Sequence, residues 1–137
     1  MASSMSSQPE QYALEPTTHV PNSTLPVLVY RSVLPPEPNK RNTREAIETN
    51  HWYHGGDWKA YKAHHFHSVT HECYAVYRGR STLLLGRGPL DENGGLEVVL
   101  EAGDVIVLPV RYRDFAFAKN QRAILQSLKQ EVLYTTI

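Results

Sequence analysis

His65-Phe-His67-Ser-Val-Thr-His71-Glu72-Cys73-Tyr74-Ala-Val76-Tyr-Arg-Gly79, together with His64 before it, holds four of the chain's seven histidines. From Glu72 onward the run is apolar and aromatic and it ends on glycine, the pattern of a strand closed by a turn. Side chains alternate along a strand, so His65 and His67 face one way, and a hairpin can return Glu72 to meet them. Two imidazoles and one carboxylate can approach a divalent ion to about 2 Å on one side and leave the other side open for water or substrate. Histidines also cluster on surfaces by chance; here the carboxylate and the glycine stand in register with the pair.

Working outward, short strands separated by turn signals are expected at roughly 61–67, 72–78, 81–86, 95–100, 104–108 and 112–118. Their regular spacing points to a sandwich or barrel. Arg78-Gly79-Arg80, Asp91-Glu-Asn-Gly-Gly95 and Ala102-Gly103-Asp104 supply the reversals, because glycine reaches positive φ without steric cost. Leu25–Tyr30 reads as an earlier strand, closed by the stiff segment Leu34-Pro-Pro-Glu-Pro38. Asn42 with Glu45 resembles a capping box, opening a short helix to about Asn50 with Ala46 and Ile47 inward, after which Gly55-Gly56 breaks the chain. Ile124, Leu125, Leu128 and Val132 recur at helical spacing and predict a C-terminal amphipathic helix. The expected organisation is a flexible arm over 1–22, a barrel over 23–118, and a helix over 119–137 that packs on or caps the barrel.

The chain has 137 residues, enough for one domain, and its 14 basic and 14 acidic residues balance. That balance, without runs of like charge, argues against an electrostatic grip on nucleic acid or an anionic membrane. Cys73 is the only cysteine, so an internal disulfide is ruled out, and its apolar strand predicts a buried, inert thiol. No segment approaches roughly 18 consecutive apolar residues and the N-terminus lacks a basic start and an apolar stretch, so the expectation is a soluble, cytoplasmic protein.

The spacing His65-x-His67-x4-Glu72-x6-Gly79 resembles the first motif of the cupin superfamily (RmlC-like), except that Lys59 stands where the motif begins with glycine. Gly103-Asp-Val-Ile-Val-Leu-Pro109 is similar to the start of the second motif. Within the superfamily, His64-His65-Phe-His67-Ser-Val-Thr-His71-Glu72 resembles the YjlB-like branch, and also small cupin-domain oxidoreductases of fungal polyketide gene clusters. The resemblance covers about residues 25 to 110. It implies a mainly β fold: a small single-domain double-stranded β-helix, or jelly-roll barrel, here with a short N-terminal helix and the C-terminal helix. It also implies one metal held inside the barrel and a homodimer built on shared edge strands.

Counted from Gly103, the position where the second motif supplies a third histidine falls on Asp114. Aspartate can ligate a hard or borderline metal, and it can equally pair with the adjacent Arg113 or solvate a strand end. The metal set is therefore His65, His67 and Glu72, with Asp114 as a candidate fourth ligand; Fe(II) suits it best, and Mn or Zn are possible. His71 alternates to the face opposite Glu72, and His64 outward. A zinc-protease helix is disfavoured because the acid is misplaced for His-Glu-x-x-His. Tyr74 and Val76 share Glu72's face and Leu83 and Leu85 alternate on the next strand, so they either line an apolar hollow for an aromatic or alkyl substrate or simply fill the barrel. Arg111, Tyr112 and Arg113 lie near the expected mouth. The resemblance implies a metal-dependent oxidoreductase acting on an aromatic or polyketide-derived small molecule in secondary metabolism, with Glu72 a general base only if it detaches from the metal. The alternatives are a non-redox isomerase, cyclase or dehydratase, and a non-catalytic accessory binding protein.

Overall fold

The computed structural model describes residues 8–59, 65–66, 70–109, 113–117 and 124–131, with side chains for 8–55 and 70–109. In chain order its elements are β1 (Glu10–Tyr12), β2 (Val27–Tyr30), α1 (Lys40–Glu48), β3 (Tyr53–Lys59), β4 (His65–Phe66), β5 (Thr70–Arg78), β6 (Arg80–Leu85), β7 (Leu96–Glu101), β8 (Val105–Leu108), β9 (Arg113–Phe117) and β10 (Ile124–Glu131). They form a sheet ordered β1-β2-β8-β5-β10-β3 and a second ordered β4-β9-β6-β7. The observed pairings are antiparallel. From β3 to β10 the chain exchanges sheets so that β3-β10-β5-β8 faces β4-β9-β6-β7, which is the two-sheet, eight-strand order of a jelly roll. The protein is a small, mainly β jelly-roll barrel, with β1 and β2 extending one sheet. Among the described residues no helix is long and apolar enough to cross a membrane.

The core follows from two-residue alternation. Tyr74 and Val76 of β5 meet Leu83 and Leu85 of β6, Val98 and Leu100 of β7, Ile106 and Leu108 of β8, and Val27 and Val29 of β2 between the sheets. Cys73 and Ala75 point the other way and join Leu34, Ile47 and Val105 in a second cluster under α1. β5 is thus buried on both faces, which explains its almost continuous apolar run. The α1 N-terminus is capped by Asn39, whose side chain accepts from the Arg41 and Asn42 amides at 3.0 and 3.1 Å, while the Asn42 side chain accepts from the Asn39 amide at 2.8 Å. The capping box therefore lies three residues before the expected one, and Glu45 pairs with Arg41 instead. Ile47 is buried as expected.

Arg31 closes the seam between the sheets. Its guanidinium donates to the Glu10 carboxylate of β1 at 2.9 and 3.1 Å, to the Val99 carbonyl of β7 at 2.6 Å, and to the buried Asp104 carboxylate at 2.9 Å. Asp104 also accepts from the Ser32 and Glu101 amides, at 2.9 and 3.0 Å. The hydrogen bonds from Arg31 hold the Glu10 carboxyl below its ordinary value.

Three expectations need correction. Where a C-terminal helix was expected over 119–137, residues 124–131 form β10, while 118–123 and 132–137 lie outside the described residues. β10 pairs along its length with β5 on one side and with β3 on the other, and such a two-sided ladder outweighs a short helical period of apolar residues. Gly55-Gly56 does not break the chain: it lies within β3, and the register passes over Gly55 between the pairs Ser127–Gly56 and Leu128–His54, a bulge that glycine accommodates. Within the arm expected to be flexible, residues 8–22 are docked, with β1 paired to β2, Val20 at 1% exposure and Asn22 at 7%.

Leu83→Ala should remove about 2–5 kcal/mol of stability, because Leu83 is wholly enclosed by the inter-sheet cluster. Urea unfolding measures it; a loss under about 1 kcal/mol, within the range of surface substitutions or little more, would contradict this packing.

Candidate functional site

β5 and β6 are joined by a hairpin at Gly79, whose φ of 79° suits glycine. The start of β5 and the end of β6 therefore lie together at the far end of the barrel. Glu72 sits there, opposite Leu108 of β8 and Lys129 of β10. So does Leu85, which is opposite Leu96 of β7 and Asp114 of β9. Asp114 is in turn directly opposite His65, the first residue of β4. The register thus puts His65 and Asp114 level with Leu85 on one sheet, at the same end as Glu72 on the other sheet. His65 and Glu72 are not brought together by a hairpin within one sheet, because β4 and β5 belong to different sheets.

Glu72 is a carboxylic side chain with 2% exposure, on the face that Tyr74 and Val76 give to the core. A carboxylate at such a depth is costly unless compensated, which makes Glu72 the buried acidic group to consider at this end of the barrel. His71 is half-buried next to it, and burial lowers its pKa, which favours the neutral imidazole. The thiol of Cys73 lies in the cluster under α1, and burial pushes its pKa up to about 12, with the Glu72 charge adding to the shift. It is an inert side chain, as the sequence predicts.

His67, His64, Arg111 and Tyr112 lie outside the described residues; for His65, Arg113 and Asp114 the backbone is described and the side chains are not. Among the described residues no group of three or more His, Cys, Asp or Glu is placed to hold a metal ion. Three of the four expected ligands thus share one end of the barrel by strand register, and the fourth, His67, falls in the undescribed connection between β4 and β5. Of the two readings of Tyr74, Val76, Leu83 and Leu85, barrel filling is the one observed: they are at 4% exposure or less and pack against one another. A cavity of about 470 Å³ lies instead on the other side of that sheet, under α1, lined by residues including Leu28, Ile47, Trp52 and Val107.

Sequence reasoning missed the 13–26 connection between β1 and β2, which crosses this end of the barrel. Asn22 donates to the Gly86 and Glu15 carbonyls, at 2.8 and 2.9 Å. Asp91 accepts from the Thr17 hydroxyl at 2.7 Å, the His19 amide at 3.1 Å and the Gly88 amide at 2.9 Å. The polar composition of residues 1–22 masks this fastening, whose partners lie more than 60 positions away along the chain.

No family model matches the chain. No curated protein matches it. Among solved structures, the crystal structure of the Drosophila melanogaster CENP-C cumin domain matches with a TM-score of 0.45 and 14% identity, over 89% of this chain and 72% of that one. The class that strand order and register define is a jelly-roll domain with acidic and histidine positions gathered at one end of its barrel.

Native protein should leave Cys73 unlabelled by iodoacetamide at pH 8, with one equivalent incorporated after denaturation. Mass spectrometry reads the outcome, and rapid native labelling would contradict the burial of the outer face of β5.

Proposed function

We propose that this protein is a cupin-type, metal-dependent oxidoreductase whose site is the barrel end carrying His65, His67, Glu72 and Asp114. The observation that carries the reading is the burial of Glu72 at 2% exposure, at the end where His65 and Asp114 oppose each other across β4 and β9. His65, His67 and Glu72 would hold one divalent ion, with Asp114 as the candidate fourth ligand. Imidazole and carboxylate donors of this kind fit Fe(II) first, and Mn or Zn next. When bound, the ion supplies Lewis acidity toward a substrate oxygen and, if iron, redox chemistry with dioxygen.

The chain's own residues supply the surroundings. Leu85, Leu108 and Tyr74 keep this end of the core apolar, which strengthens electrostatic interactions there; an aromatic or polyketide-derived substrate is what the resemblance to cupin-domain oxidoreductases implies. Glu72 would serve as a ligand, and could act as a general base only where it is not holding the ion. The proposed setting is cytoplasmic specialised metabolism, in a homodimer with a solution mass of two chains. A second reading, a non-catalytic binding protein, is favoured by Asp114 standing where a third histidine is expected and by the filled inner face beside Glu72. A non-redox isomerase, cyclase or dehydratase would use the same ligands and show no dependence on oxygen.

Elemental analysis of freshly purified, untagged protein, handled anaerobically, tests the proposal. About one equivalent of iron or manganese is expected in the wild type, with at least tenfold less in His65→Ala and His67→Ala while circular dichroism stays unchanged. Unaltered metal content in both variants would sink the metal site. Stoichiometric zinc would shift the chemistry to Lewis-acid catalysis, and no bound metal after attempted reconstitution would leave the binding-protein reading.

A further inference from the structure

We infer that residues 13–26 form a lid over the end of the barrel that carries His65, Glu72 and Asp114, fastened by Asn22 and Asp91 and able to lift without unfolding the sheets. What lies beneath the lid rests on the function proposed above; the fastening itself does not. β1 runs toward this end, with Tyr12 opposite Val27, and β2 leaves it, so the connection lies there, and its contacts with Gly86, Asp91 and Gly94 carry it across to the β6–β7 loop. Leu14 packs on the inter-sheet cluster, and Val20 is buried at 1% exposure. The contact with the β6–β7 loop is close. A Cβ on Gly86 would come within 2.7 Å of Leu14 Cδ1, and one on Gly94 within 2.9 Å of Thr17 Cγ2.

The manner of attachment makes this segment a lid rather than another strand. Strands of the barrel are held by continuous backbone ladders. Among the described residues, the backbone bond within 13–26 is internal, from the Thr17 amide to the Val20 carbonyl at 2.9 Å. Its ties to the rest of the barrel include hydrogen bonds of the Asn22, Thr17 and Asp91 side chains and the packing of Leu14 on the core. Asp91 is the clasp: one carboxylate gathers the Thr17 hydroxyl and His19 amide from the segment and the Gly88 amide from its own loop. Those bonds help hold the Asp91 carboxyl below its ordinary value. The three-residue β1–β2 pairing and Pro26, just before β2, remain as the hinge. Local opening of this kind breaks the Asn22 and Asp91 hydrogen bonds and exposes Leu14 and Val20 while the sheet ladders stay paired, so it lies below global unfolding in free energy.

Hydrogen–deuterium exchange on the full-length protein tests the lid, using Asp91→Ala and, as a milder change, Thr17→Val. Peptides within 13–22 should exchange about tenfold faster in each variant than in wild type, while β2 and β8 peptides are unchanged. Uptake of Mn²⁺, added alone and followed by electron paramagnetic resonance, should be faster in the variants with the same final stoichiometry. Exchange of 13–22 that matches β2 and β8 in wild type and shifts in neither variant would overturn the lid. Faster exchange with an unchanged Mn²⁺ uptake rate would overturn its control of access. Faster exchange with no Mn²⁺ bound in any protein would uphold the lid and remove the metal reading instead.

Discussion

Burial of both faces of β5 is the constraint on which the rest of this protein depends. One face, through Tyr74 and Val76, supplies the centre of the inter-sheet core, and the other, through Cys73 and Ala75, supplies the floor on which α1 rests. A strand enclosed on both sides must have neighbours at both edges, because an unmatched buried amide or carbonyl is expensive. β8 and β10 provide them. β10 is therefore required by β5: without it the central strand of the sheet would expose one edge of its ladder.

The same strand carries the feature that gives the barrel an interest beyond packing. Glu72 continues the inward-facing series of Tyr74 and Val76 by two residues, toward the open end, so the alternation that builds the core also drives a carboxyl group into it. Among the described residues, the other buried acidic side chain behaves differently. Asp104 is buried too, but Arg31 and two backbone amides meet it in a turn, an arrangement that accounts for it structurally. Glu72 instead belongs to a strand interior, opposite Leu108 of β8 and Lys129 of β10, at the same end of the barrel as the opposed positions His65 and Asp114.

Much of this was legible in the chain because it rests on local rules. Alternation around Glu72–Arg78, the glycine at the β5–β6 turn, and the apolar runs of β6, β7 and β8 each announce themselves within a few residues. The same locality explains the failures. Ile124, Leu125 and Leu128 are equally compatible with one face of a helix and with a strand whose partners carry bulges, and those partners are some 50 to 70 positions earlier in the chain. Residues 8–22 look too polar to dock because their anchors, Gly86, Asp91 and the β2 edge, are distant in sequence.

The chain's residues alone pointed to a sandwich or barrel of short strands and to a buried, inert Cys73, and they displayed His65, His67 and Glu72 at a spacing that metal ligands use. Periodicity and turn chemistry are properties of neighbouring residues, and neighbouring residues are what a sequence displays. Only the tertiary structure decided that β10 is a strand, that Asp114 stands opposite His65, that the inner face beside Glu72 is filled, and that residues 13–26 cross the end of the barrel. Each of those depends on which distant segments meet, and that is settled by the joint burial of whole sheet faces and the pairing of their edges, quantities that no local window of residues contains.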